Sequence, residues 1–138
     1  MQYVFLEYSI DCAHFLPNVP EGHKCGRMHG HRYDIRLELA GDPGSETGWI
    51  MDYADIKAIF DPVIMALDHR TLNEISGLSN PTCENIVMYL RRMLPSDELN
   101  AIEVRETARA GAGWRRAWTH PSKEMSSRIA AEAAKENT

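Results

Sequence analysis

Cysteine is scarce in this chain. Its three occurrences, Cys12, Cys25 and Cys83, are an odd number with no signal peptide ahead of them. A disulfide framework is therefore not expected, and a reducing, cytoplasmic setting is. No apolar run approaches the length of a membrane span, which excludes the usual integral membrane protein. Positive charge is in deficit: the formal net charge is −5, so no general attraction to nucleic acid or an anionic membrane follows. The glycines form neither a Walker-type nor a dinucleotide-binding pattern, and there is no internal repeat. The balance is an ordinary globular composition, 43% hydrophobic and 25% charged. At 138 residues the chain suits one domain that buries roughly two-thirds of its unfolded surface without staples.

Histidine carries the information that is present. Residues 29 to 39 read His-Gly-His-Arg-Tyr-Asp-Ile-Arg-Leu-Glu-Leu. This alternation is that of a half-buried strand, so His29 and His31 share the face of Ile35, Leu37 and Leu39. A His-x-His pair alone is often two hydrogen-bonded core residues. His14, near the end of an earlier apolar run, supplies a third imidazole from a neighbouring strand. Three such ligands leave a cation one open position, as catalytic zinc is held and structural zinc is not. Cys25 is ambiguous: it reads either as a fourth ligand closing a structural site or as a nucleophile or base beside an open one.

Residues 2 to 16 are rich in aromatic and β-branched types and predict a first strand. Pro17 to Met28 forms a loop of about twelve residues, a length that is usually functional in a small domain. The strand containing His29 stops at Gly41-Asp-Pro-Gly44. A helix follows, with Asp52 as N-cap, Asp55 in its first turn and a kink or break at Pro62. Thr82 caps a second helix that buries Ile86, Val87, Leu90, Met93 and Leu94 and ends at Pro95. Residues 100 to 109 form a third strand, Ala110 to Gly113 a turn, and Trp114 to Trp118 a short fourth strand. The order ββααββ predicts an α+β domain, with two helices on one face of an antiparallel four-stranded sheet. That domain spans residues 1–118. Residues 119–138 make a solvated tail or a helix appended from about Ser126.

Two further features suggest chemistry. Glu106 takes the apolar parity of its strand, where a carboxylate is costly to bury without a partner. It reads as an edge position, as half of an internal salt bridge with an arginine, or as a carboxylate aimed at a ligand's N–H edge. Asp68-His69 closes the first helix, where a histidine can simply offset the helix dipole or, oriented by the acid, shuttle protons.

These residues lie in a set of motifs: Cys12-Ala-His14-Phe-Leu-Pro, Glu21-Gly-His-Lys-Cys25-Gly-Arg-Met-His29-Gly-His31, Gly48-Trp-Ile-Met-Asp52, Leu67-Asp68-His69, Leu72-Asn73, Asn80-Pro-Thr82-Cys-Glu84-Asn85 and Glu106-Thr107. The set resembles the 6-pyruvoyltetrahydropterin synthase family from about Val4 to Gly113. The Cys-x3-His-Gly-His spacing looks like its bacterial 6-carboxytetrahydropterin synthase branch, which serves queuosine biosynthesis. Animal pyruvoyl enzymes place two more residues between the cysteine and the first histidine.

The resemblance implies a tunnelling fold whose ββααββ units assemble as trimers and then a hexamer, a homo-oligomer with pockets between subunits. It implies one zinc ion per subunit on His14, His29 and His31. Cys25 would be the catalytic base, Asp68 and His69 the proton-transfer pair, and Glu106 the anchor of the pterin ring. The implied substrate is 7,8-dihydroneopterin triphosphate, cleaved to 6-carboxy-5,6,7,8-tetrahydropterin with loss of acetaldehyde and triphosphate. Thr82 joins Glu106 as a substrate contact, and His23, Lys24 and Arg27 are candidates for the triphosphate. Two other outcomes stay open: a pyruvoyl-type synthase that only eliminates triphosphate, and a non-catalytic protein whose zinc Cys25 closes. Cys12 stands where the family commonly has alanine and is read as a small core residue. Cys83 falls at a variable position. Residues 115–138 have no recognised counterpart.

Overall fold

The computed structural model describes residues 1–116 and 131–135. Four strands, β1 (Gln2–His14), β2 (His29–Gly41), β3 (Leu99–Thr107) and β4 (Ala110–Arg115), pair as neighbours in that order, antiparallel throughout. Between β2 and β3 run two helices, α1 (Tyr53–Met65) and α2 (Cys83–Met93). The predicted ββααββ order and α+β class are what the chain adopts. The boundary expected after residue 118 and the start of the appended helix near Ser126 lie outside the described residues. Within 131–135 the chain is helical.

Alternation decides which face of the sheet is dry. Ile10, Cys12, Ile35, Leu37, Leu39, Ile102 and Val104 are buried, and Ile56, Phe60 and Ile64 of α1 with Ile86, Val87 and Leu90 of α2 complete the core. Each large apolar side chain so buried stabilises the fold by about 1.5–3 kcal/mol before entropy is counted. The opposite parity, Glu7, Ser9, Arg32, Asp34 and Arg105, remains exposed.

Both helix starts follow their capping residues. Asp52 accepts a hydrogen bond from the Ala54 N–H at 2.9 Å, and Thr82 accepts one from the Asn85 N–H at 3.2 Å. Several details differ from expectation. α1 runs through Pro62 to Met65 and stops within the next turn, so the proline's missing N–H removes one bond from a helix already ending. Asp68 and His69 consequently lie beyond the helix. Met93 is 49% exposed, whereas Leu94, just past the last helical residue, is buried. Ala110–Gly113 is strand rather than turn, with the reversal at residues 108–109. A Cβ on Gly111 would meet the Val104 carbonyl oxygen at 2.2 Å, and one on Gly113 the Ile102 oxygen at 2.9 Å. Those glycines therefore permit β4 to approach β3 closely.

Candidate metal centre and its surroundings

The β1–β2 register sets His14 directly opposite His29, with Cys12 opposite His31. Cross-strand partners share a face, so all three imidazoles project to the core side at the sheet's end. His14 Nε2 lies 2.9 Å from His29 Nε2, and one nitrogen from each of the three rings falls within 4.8 Å of the others. The ring centroids are 4.5, 5.1 and 4.9 Å apart in pairs. Zinc–nitrogen bonds of about 2.0–2.1 Å at tetrahedral angles put ligand nitrogens roughly 3.3 Å apart, a spacing this cluster accommodates.

The Nδ1 atoms of His14 and His29 are already engaged. His14 Nδ1 lies 2.8 Å from the Pro81 carbonyl oxygen, and His29 Nδ1 lies 2.7 Å from that of Arg27. A carbonyl only accepts, so each Nδ1 carries the proton and each Nε2 presents a lone pair to its neighbours. Burial holds His14 below the ordinary imidazole range against the opposing pull of Pro81, which favours the neutral ligating form. Tyr33, itself buried, sets its hydroxyl 3.1 Å from His14 Nδ1 beneath the cluster. These observations fit a tridentate site for a borderline cation. Cys25 is not among the converging ligand atoms.

Cys25 sits in a 3-10 turn, Lys24–Gly26, and is half-buried. The His23 ring caps this turn by accepting the Cys25 N–H at 3.1 Å, and the Cys25 carbonyl accepts from the Leu16 N–H at 2.8 Å. The loop is thereby fastened to the end of β1. Lys24 and Arg27 are exposed on it.

A second segment is laced along the outer edge of β1. The His69 N–H donates to the Asp11 carbonyl at 2.7 Å, the Ala13 N–H to the Arg70 carbonyl at 3.0 Å, and Ala13 pairs in parallel with Thr71. Asn73 clamps Phe15 at both its N–H and its carbonyl. This lacing holds His69 in a left-handed conformation (φ 58°), with Nδ1 3.0 Å from Asp68 Oδ1. The same carboxylate oxygen accepts the Asp11 N–H at 3.0 Å. That backbone donor first, and His69 second, hold the Asp68 carboxyl below its usual range. His69 and His31 line one open groove of about 400 Å³, where Arg70 supplies positive charge.

Glu106 ends β3 half-buried, with Oε2 3.9 Å from His31 Nε2 and 3.6 Å from the Cys83 sulfur. Its nearest side-chain nitrogen is therefore that of His31 rather than an arginine's. Cys12 is the small core residue expected, 5% exposed, its thiol directed at the Leu67 carbonyl. Burial pushes Cys12 up to about 11 and Cys83 up to about 12. Arg70, Tyr33 and Cys83 are site neighbours that sequence reasoning passed over. Only the basic residue beside Asp68-His69 left a local signal.

Comparison with known proteins places the chain in a family. A family model described as 6-pyruvoyl tetrahydropterin synthase matches residues 3–117. The 6-carboxy-5,6,7,8-tetrahydropterin synthase of Synechocystis sp. is 39% identical over 120 residues, covering 81% of this chain and 92% of that protein. The dihydroneopterin monophosphate aldolase of Pyrococcus furiosus is 36% identical over 74 residues, 51% of this chain and 61% of that one. The structure of Caenorhabditis elegans 6-pyruvoyl tetrahydropterin synthase superposes with a TM-score of 0.72 at 23% identity, over 85% of this chain and 98% of that chain. The tunnelling-fold topology and a match running nearly the length of the described domain lead to one assignment: this chain belongs to the 6-pyruvoyl tetrahydropterin synthase family.

Proposed function

We propose that the chain is a zinc-dependent carbon–carbon lyase acting on 7,8-dihydroneopterin triphosphate. With uptake of one water the products are 6-carboxy-5,6,7,8-tetrahydropterin, acetaldehyde and triphosphate, and the step belongs to queuosine biosynthesis. The observation that carries the reading is the convergence of three imidazoles next to a groove that also holds His69. Similarity to the Synechocystis 6-carboxy synthase favours this product over the pyruvoyl one.

His14, His29 and His31 would hold the zinc, which supplies Lewis acidity toward the oxygens of the pterin side chain. Cys25 takes a proton from the carbon beside the ring, a role that needs its thiolate. His69 exchanges protons with the side-chain hydroxyls. Asp68, 3.0 Å from Nδ1, orients that imidazole and stabilises its protonated form. Glu106 accepts adjacent N–H groups of the pterin edge in a bidentate contact. The Thr82 oxygen is committed to the Asn85 N–H, so its own O–H is available to donate to the ring. His23, Lys24 and Arg27, with Arg70 of the groove, have the charge or donors a triphosphate requires. A homo-oligomer, a hexamer by family resemblance, would enclose the open groove between subunits.

Mass spectrometry on metal-analysed protein incubated with 7,8-dihydroneopterin triphosphate tests the assignment. A 6-carboxy product together with acetaldehyde supports it. A 6-pyruvoyl product assigns the alternative synthase reaction, and zinc retained with no turnover assigns a structural metal.

A further inference from the structure

Glu106 is irregularly held. The β3–β4 ladder pairs Arg105 with Gly111 and Thr107 with Ala110, so its register shifts at Glu106, which has no partner on β4. Pairing with β2 ends one residue earlier, at Asp34 opposite Arg105. Such a bulge re-aims a side chain but leaves its main chain without the ladder's support.

Cys83 supports its side chain instead. It is the first residue of α2 and is 6% exposed. Its thiol donates to Glu106 Oε2 at 3.6 Å. One side chain therefore engages the carboxylate of the bulged residue, tying helix to strand. His31 approaches the same Oε2, and Oε1 has no hydrogen-bond partner among the described residues.

We propose that Cys83 is a positioning residue for Glu106, its thiol fixing a bulged, unpaired glutamate so that the carboxylate meets the pterin edge in one orientation. A thiol at this position suits the task because it can donate a hydrogen bond to the carboxylate. The inference rests on the reading of Glu106 as the pterin anchor.

A double-mutant cycle on the metal-loaded full chain tests it, with neopterin affinity read by fluorescence titration and KM and kcat read with 7,8-dihydroneopterin triphosphate. C83A should weaken neopterin binding and raise KM by about three- to tenfold, with a smaller change in kcat. C83S, which keeps a donor, should recover most of the loss. In an E106A background the further change C83A should have no effect, because its target is gone. An equal C83A penalty with and without Glu106 overturns the proposal and leaves Cys83 a packing residue. Unchanged neopterin affinity in E106A alone overturns the anchor reading, and the proposal with it. If C83A loses its fold by circular dichroism, C83V of similar size takes its place in the cycle.

Discussion

His14 and His29 face each other through Nε2 at 2.9 Å, and each has its Nδ1 bound to a backbone carbonyl, of Pro81 and Arg27 respectively. The tautomers are thus set by main chain that no side-chain substitution removes. The α2 approach and the Cys25 loop each contribute one of these carbonyls, so the cluster is oriented from two sides before any cation arrives.

Removing one imidazole should therefore abolish metal retention rather than soften it. His29→Ala is expected to lower bound zinc to under about a tenth of the parent value, since two ligands remain. Elemental analysis after gel filtration in metal-free buffer checks this. Retention of zinc by the variant would refute the three-histidine site.

Cys25 is the accessible thiol of the three, because Cys12 and Cys83 are buried and pushed up to about 11 and about 12. Iodoacetamide near neutral pH should label the Cys25 peptide first, as peptide mass spectrometry will resolve. Cys25→Ala should lower kcat by roughly 10²–10⁴ with zinc content intact, the scale of a lost general base. Zinc lost with the thiol would make it a ligand.

Asp68 carries a pH signature. Its folded carboxyl sits below its unfolded value, so its contribution to stability is complete above about pH 5 and is lost as the pH falls through the folded value. Between those limits the unfolded state binds more protons. The stability gap between parent and Asp68→Asn should therefore narrow on acidification below about pH 4. Urea titrations at several acidic pH values measure it, and a constant gap would contradict the assignment.

Thr82 caps α2 and is the proposed donor to the pterin ring. Thr82→Ala removes the cap of α2 and should cost about 1 kcal/mol, read as a lower urea midpoint. Thr82→Ser keeps the capping oxygen and the donor, and should preserve both stability and neopterin affinity. A stable Thr82→Ala variant would show that the cap contributes nothing.

Much of the fold was legible because periodic burial is written locally. The alternation from His29 to Leu39 placed two histidines on the dry face, and Asp52 and Thr82 marked helix starts by their own hydrogen-bonding chemistry. What escaped detection depends on contacts distant in sequence. Gly111 and Gly113 suggested a turn because glycine signals flexibility locally, whereas here it signals a neighbouring backbone too close for a Cβ. The lacing of Asp68–Asn73 along β1 spans more than fifty residues of chain, so His69 was assigned to a helix end. The Cys83–Glu106 contact joins a helix start to a strand end and leaves no periodic trace.

The pairing of His14 with His29 also bears on how the chain finds its fold. A slip of one position in the first hairpin would turn His14 to the opposite side of the sheet from His29 and His31. Any ion captured by the trio therefore selects the native alignment and discriminates against the shifted one, by mass action on the folded population. Zinc would act here as a proofreader of strand alignment before it served any reaction.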